Sequence, residues 1–135
     1  MENDRKLRRQ AFGLIIGLSV QFLLGTAVNL FVKFPESGGA KVMWEYARTQ
    51  PLVLAHIIVG TLLLLGAVPM AIMSARQKEK VWRWASFVGL LFILMAWLSG
   101  EEFISSQQDP YSLSMAGAFI LAIISYCWGI LRTSA

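Results

Sequence analysis

One histidine, His56, is the only imidazole in 135 residues. An imidazole can ligate a metal or haem iron, move a proton, or hold a neighbouring helix by a hydrogen bond. Other polar side chains fall at a matching depth in the chain's apolar stretches. Asn29 lies near the end of the first stretch, with Gln21 two turns before it. Glu101 and Glu102 close the third, and Ser114 and Met115 open the fourth. Polar groups inside a membrane are costly and mark functional sites by default.

Three chemistries compete for His56. It can be a core histidine hydrogen-bonded to Glu101, Glu102 or Asn29. It can be an axial haem ligand, with Gly60 one turn along leaving room for a flat macrocycle. It can form a proton- or cation-handling pair with a carboxylate. Of the two acids, Glu102 is the expected inward-facing one, because it stacks on the small, polar Ser99. A zinc or copper centre at His56 would need more ligands than one histidine and two glutamates supply.

These residues must be positioned by membrane helices. Hydrophobic residues make up 56% of the chain, charged residues 15%, and the mean hydropathy is +0.59. That composition excludes disorder, which needs low hydrophobicity and high charge. A single cysteine, Cys127, excludes an internal disulfide framework. Four apolar blocks, about residues 11–32, 52–73, 82–104 and 113–131, each reach the ~20 residues needed to cross a bilayer. They do not alternate in the manner of β-barrel strands. The first follows Arg5, Lys6, Arg8 and Arg9 but is too long for a signal-peptide core, so it is read as a retained span. The expected fold is all-α and integral to the membrane: one domain, residues 1–135, forming an up-down four-helix transmembrane bundle.

Lysine and arginine counts set the orientation. Nine of the twelve lie in the N-terminal tail, the segment from Arg76 to Arg83, and the C-terminal tail. Three lie in the loop over residues 33–50, and none in the loop over 101–112. Both termini are therefore expected in the cytoplasm, with His56 on the outer side of the cell (inner) membrane. The net charge of +4 is a topology signal, and no contiguous basic face marks nucleic acid as a partner. Trp44, Tyr46, Trp82, Trp84, Tyr111 and Trp128 fall where interfacial anchors belong.

Small residues recur on one face of each span. The first carries Gly13, Gly17, Gln21, Gly25 and Asn29 at i+4 spacing. Glycines on a face admit a neighbouring backbone, so Gly13, Gly17 and Gly25 could dock a second copy or a larger complex as well as a helix of the same chain. His56, Gly60, Leu63, Ala67 and Met70 form the second face. Ser86, Gly89, Ile93, Ala96 and Gly100 form the third, and Ser114, Ala118, Ala122, Ser125 and Gly129 the fourth. Pro69 falls near the inner end of the second span. Residues 41–49 are expected to form a short interfacial helix, Pro51 to start the second span, and Ser112 to cap the fourth.

The run Ala55-His56-Ile57-Ile58-Val59-Gly60 resembles the haem-ligating helices of membrane b-type cytochromes and is similar to the four-helix halves of haem A synthase. Leu24-Gly25-Thr26-Ala27-Val28-Asn29 is similar to the first helix of such a half. The resemblance implies a b-type haem on His56 in a redox or respiratory-chain setting. Those families use two histidines, so here Met115, a partner chain's residue or nothing would take the second axial position. The order of features, ending in Ser112-Leu113-Ser114-Met115-Ala116, also resembles small bacterial four-span membrane proteins, which implies membership and no activity. The alternatives are a non-catalytic accessory subunit of a membrane complex and a small proton-coupled carrier using His56 and Glu102.

Overall fold

The computed structural model describes residues 2–133. Five helices follow one another: α1 (Glu2–Phe31), α2 (Gly39–Thr49), α3 (Pro51–Ala75), α4 (Lys80–Ser106) and α5 (Asp109–Arg132). Four of them are long and apolar enough to span a membrane, and α2 is the short one. At ~1.5 Å per residue, the 24 residues of α5 already reach about 36 Å, more than a ~30 Å hydrocarbon core.

The bundle closes in the order α1–α3–α4–α5, with α5 returning to α1. Its seam is legible as spacing. Leu7, Ala11, Leu14, Leu18 and Gln21 are buried on α1 at alternating steps of four and three. Leu63, Ala67, Met70 and Ser74 continue the pattern on α3, and Ser86, Gly89, Ile93 and Ala96 on α4. Steps of four and three average 3.5 residues, the period of helices that wind around one another with small left-handed crossings. The opposite faces carry Leu23, Leu30, Leu62, Leu65 and Leu113, each more than 60% exposed, where only a bilayer removes them from water.

Several local expectations change. The first helix begins at Glu2, well before residue 11, because Leu7 and Ala11 extend its buried face. Arg8 donates from Nη2 to the Ile130 carbonyl at 3.2 Å, which ties the start of α1 to the end of α5 and places a cation at a helix C-terminus. Trp82 is fully buried against Gly129 and belongs to the core, whereas Trp84 is exposed. The fourth span starts at Asp109 with Pro110 in its first turn, so Ser112 is no cap. Its hydroxyl instead accepts from Asn29 Nδ2 at 2.9 Å. Pro51 does sit at the head of α3, and α3 runs on through Pro69 to Ala75.

The α1–α2 connection turns at Gly38 and Gly39, both at positive φ. α2 then lies across the bundle end opposite the termini, against α3 and α4. It buries Met43 and Ala47 with Val28, Val53 and Ile104. Trp44 donates from Nε1 to Ser105 Oγ at 3.2 Å, and Phe34 packs edge-on against Tyr46 and Phe103.

Candidate functional site: a chamber beneath α2

Beneath α2 the helices enclose a mostly apolar chamber of about 160 Å³. Gln21, Gly25, Asn29, His56, Gly60, Glu101 and Met115 all line it, drawn from α1, α3, α4 and α5. Glu102 does not line it. The expectation of Glu102 as the inward acid is therefore corrected to Glu101. Ser99, which favoured Glu102, faces α5 and shares a 3.0 Å hydrogen bond with Ser114. Both glutamates are exposed, with Glu101 at the chamber's edge.

The polar heart of the site is Gln21 with His56. Gln21 is 2% exposed, and its Nε2 donates to the His56 backbone carbonyl at 2.8 Å. Only an amide nitrogen can donate there, so the bond fixes which end of the amide is which. The same nitrogen lies 3.4 Å from His56 Nε2. An amide nitrogen only donates, so in this contact His56 Nε2 is the acceptor, which corresponds to the neutral tautomer with its proton on Nδ1. His56 is half-buried and stands edge-on to Phe119, with ring centroids 6.4 Å apart. No hydrogen bond joins its ring to Asn29, Glu101 or Glu102 among the described residues; Asn29 is spent on Ser112.

Two glycines make this arrangement fit. A Cβ on Gly60 would lie 2.7 Å from Gln21 Nε2, and a Cβ on Gly25 would lie 3.0 Å from His56 Cε1. Gly60 follows His56 by one turn, so its bare backbone leaves the His56 carbonyl open to a side chain from α1. Gly17 likewise takes Leu63 against its backbone. The Gly17 and Gly25 face is thus filled by α3 of the same chain. On the same face Gly13 has nothing within 4 Å.

Two residues that line the chamber each carry a buried atom with no hydrogen-bond partner, Gln21 Oε1 and His56 Nδ1. One is an acceptor and the other, in the tautomer assigned above, a donor.

Haem b does not fit these residues. The space expected at Gly60 is filled by the Gln21 amide, and His56 Nε2 faces that amide. A cavity of about 160 Å³ is the size class that holds one benzene ring, far below a tetrapyrrole. Among the described residues no group of three or more His, Cys, Asp or Glu could hold a metal ion. Met115 lines the chamber, but it packs with its sulfur over Gly100.

Phe34, Trp44, Trp97 and Phe119 also wall the chamber and were not singled out as site residues in the sequence. Trp44 carried a readable signal. It lies on a short amphipathic helix, so one aromatic face had to be covered by protein.

No family model matches the chain, and no solved structure matches it. It is similar to the uncharacterised membrane protein YhhN of two Escherichia coli strains and of Shigella flexneri. Each is 34% identical over 67 residues, covering 50% of this chain and 32% of the relative. The match therefore spans about a third of the length of these curated relatives. With its four long apolar helices, the chain is an all-α, multi-pass membrane protein.

Proposed function

We propose that this is a membrane binding protein whose chamber takes up a small, largely apolar molecule beneath α2. One observation supports the proposal: a chamber with apolar walls is lined by Gln21 and His56, whose buried Oε1 and Nδ1 have no hydrogen-bond partner. Leaving a buried polar atom unpaired costs about 1–3 kcal/mol, and a pocket with apolar walls and few convergent polar groups is the usual form of a small-molecule site. The charge distribution supports a placement with both termini in the cytoplasm and the chamber toward the outer face of the cell membrane. A proton-coupled carrier built on His56 and Glu102 lacks its acid partner here, since Glu102 stands outside the chamber.

The test uses the full chain in lipid nanodiscs, with its single histidine ¹⁵N-labelled. Benzene added to the bilayer should shift the imidazole signal saturably. Ala96→Phe, which fills the chamber wall, should abolish the saturation while the helical circular dichroism is kept. A shift that grows linearly with benzene in both proteins would overturn the proposal.

A further inference from the structure

Charge is divided unevenly between the two ends of the bundle. The end that carries the termini and the α3–α4 connection has nine lysines and arginines against three acids, Glu2, Asp4 and Glu79. The α2 end has three basic residues against five acids. This asymmetry belongs to the molecule itself and holds whichever side of the membrane the basic end faces.

At the basic end, Arg8 is held by the Ile130 carbonyl. Arg76, Lys78, Lys80 and Arg83, by contrast, are exposed and fall within a short stretch of chain. Only residues 76–79 join α3 to α4, so these side chains gather at one corner of the bundle, with Glu79 the single acid among them. Like charges held together set up a positive field that reaches about one Debye length, ~10 Å at 0.1 M salt.

α4 continues that corner into the membrane. Lys80, Arg83, Trp84, Phe87 and Leu91 share one face by helical spacing. Trp84, Phe87 and Leu91 are 60%, 59% and 52% exposed, so no other helix covers that face. It runs from basic side chains through an indole, the usual interfacial anchor, to a strip of apolar side chains. A phospholipid has the same order along its length: phosphate, interfacial glycerol, hydrocarbon. A free inorganic anion answers only the first part of the face. A zwitterionic headgroup brings its own cation beside the phosphate.

We infer that the α3–α4 corner is a docking surface for an anionic phospholipid, its headgroup among Arg76, Lys80 and Arg83 and an acyl chain along Trp84, Phe87 and Leu91. The inference does not depend on the chamber or its ligand.

The full chain in phosphatidylcholine vesicles tests it, with Trp84 as the reporter. Phosphatidylglycerol or phosphatidylcholine brominated near the head of its chains quenches a tryptophan that it touches. The share due to Trp84 is the difference from Trp84→Phe. At low salt, brominated phosphatidylglycerol should half-quench that share at about one fifth the mole fraction that brominated phosphatidylcholine needs, the gain expected of one basic residue at a headgroup. The gap should close at about 1 M salt, where the field reaches only ~3 Å. Lys80→Gln combined with Arg83→Gln should remove most of it, and Arg48→Gln at the opposite end should leave it intact. Equal quenching by the two lipids in the wild type would overturn the inference, and that comparison decides alone should the double variant fail to insert. A gap untouched by the double variant would overturn it as well. So would inorganic phosphate displacing the lipid better than chloride at equal ionic strength, since the surface would then take a free anion.

Discussion

The side-chain nitrogen of Gln21 sits 2.8 Å from the backbone oxygen of His56 and 3.4 Å from the same residue's Nε2. One amide thus holds both the main chain and the ring of its partner helix. Gln21→Leu removes both contacts. In membrane bundles such bonds contribute about 1 kcal/mol, so unfolding in mixed micelles should show a loss of that size. A variant as stable as wild type would mean that the two helices pack without the amide.

The glycines should separate by what stands over them. Gly60→Ala puts a Cβ 2.7 Å from the Gln21 amide, the end of a flexible side chain. The amide can swing away, so the cost should equal the lost bond, about 1 kcal/mol, and should not add to that of Gln21→Leu. Gly89→Ala meets the ring of fully buried Tyr126 at 2.5 Å and should cost more, about 2–3 kcal/mol, since a rigid ring cannot yield. Gly13→Ala meets nothing within 4 Å and should be neutral or stabilise by up to ~1 kcal/mol. Mixed-micelle unfolding of the three single variants and the double variant reads this order directly.

The two neighbouring acids should behave differently. Glu101 borders the chamber and Glu102 does not. Glu101→Gln should change the benzene concentration that saturates the His56 signal, because it alters the chamber edge. Glu102→Gln should leave that concentration unchanged. Identical behaviour of the two variants would mean that neither carboxylate acts at the chamber.

Much of the bundle could be read from spacing, because four apolar blocks with small residues every three to four positions leave one way to pack. Gln21, His56, Gly25, Gly60 and Met115 converge because depth along a helix and its face are both periodic in the sequence. What failed were choices of direction within a face. Ser99 is polar and inward, but inward toward α5, so it misdirected the choice between Glu101 and Glu102. Trp82 sits at a span's end, as an interfacial anchor would, yet Gly129 on α5 opens a slot that buries it. The space beside Gly60 was legible, but its occupant was not, because Gln21 lies 35 residues away on another helix. No local pattern encodes that contact.

Topology offers a separate check. In the proposed placement the four spans bring both termini to one side, and the distribution of basic residues supports the cytoplasm as that side. Alkaline phosphatase, active only outside the cytoplasm, should be inactive when fused after Arg132 and active when inserted at Ser37. The reverse pattern would turn the chamber toward the cytoplasm.

The chemistry proposed for the chamber depends on where the single imidazole keeps its proton. A ¹⁵N spectrum of histidine-labelled protein in nanodiscs at neutral pH gives one residue's pair of ring nitrogens. Nδ1 should appear protonated and Nε2 bare, with Gln21→Leu releasing that preference. A wild-type ring protonated on Nε2 would contradict the account, since the amide would then not hold the ring.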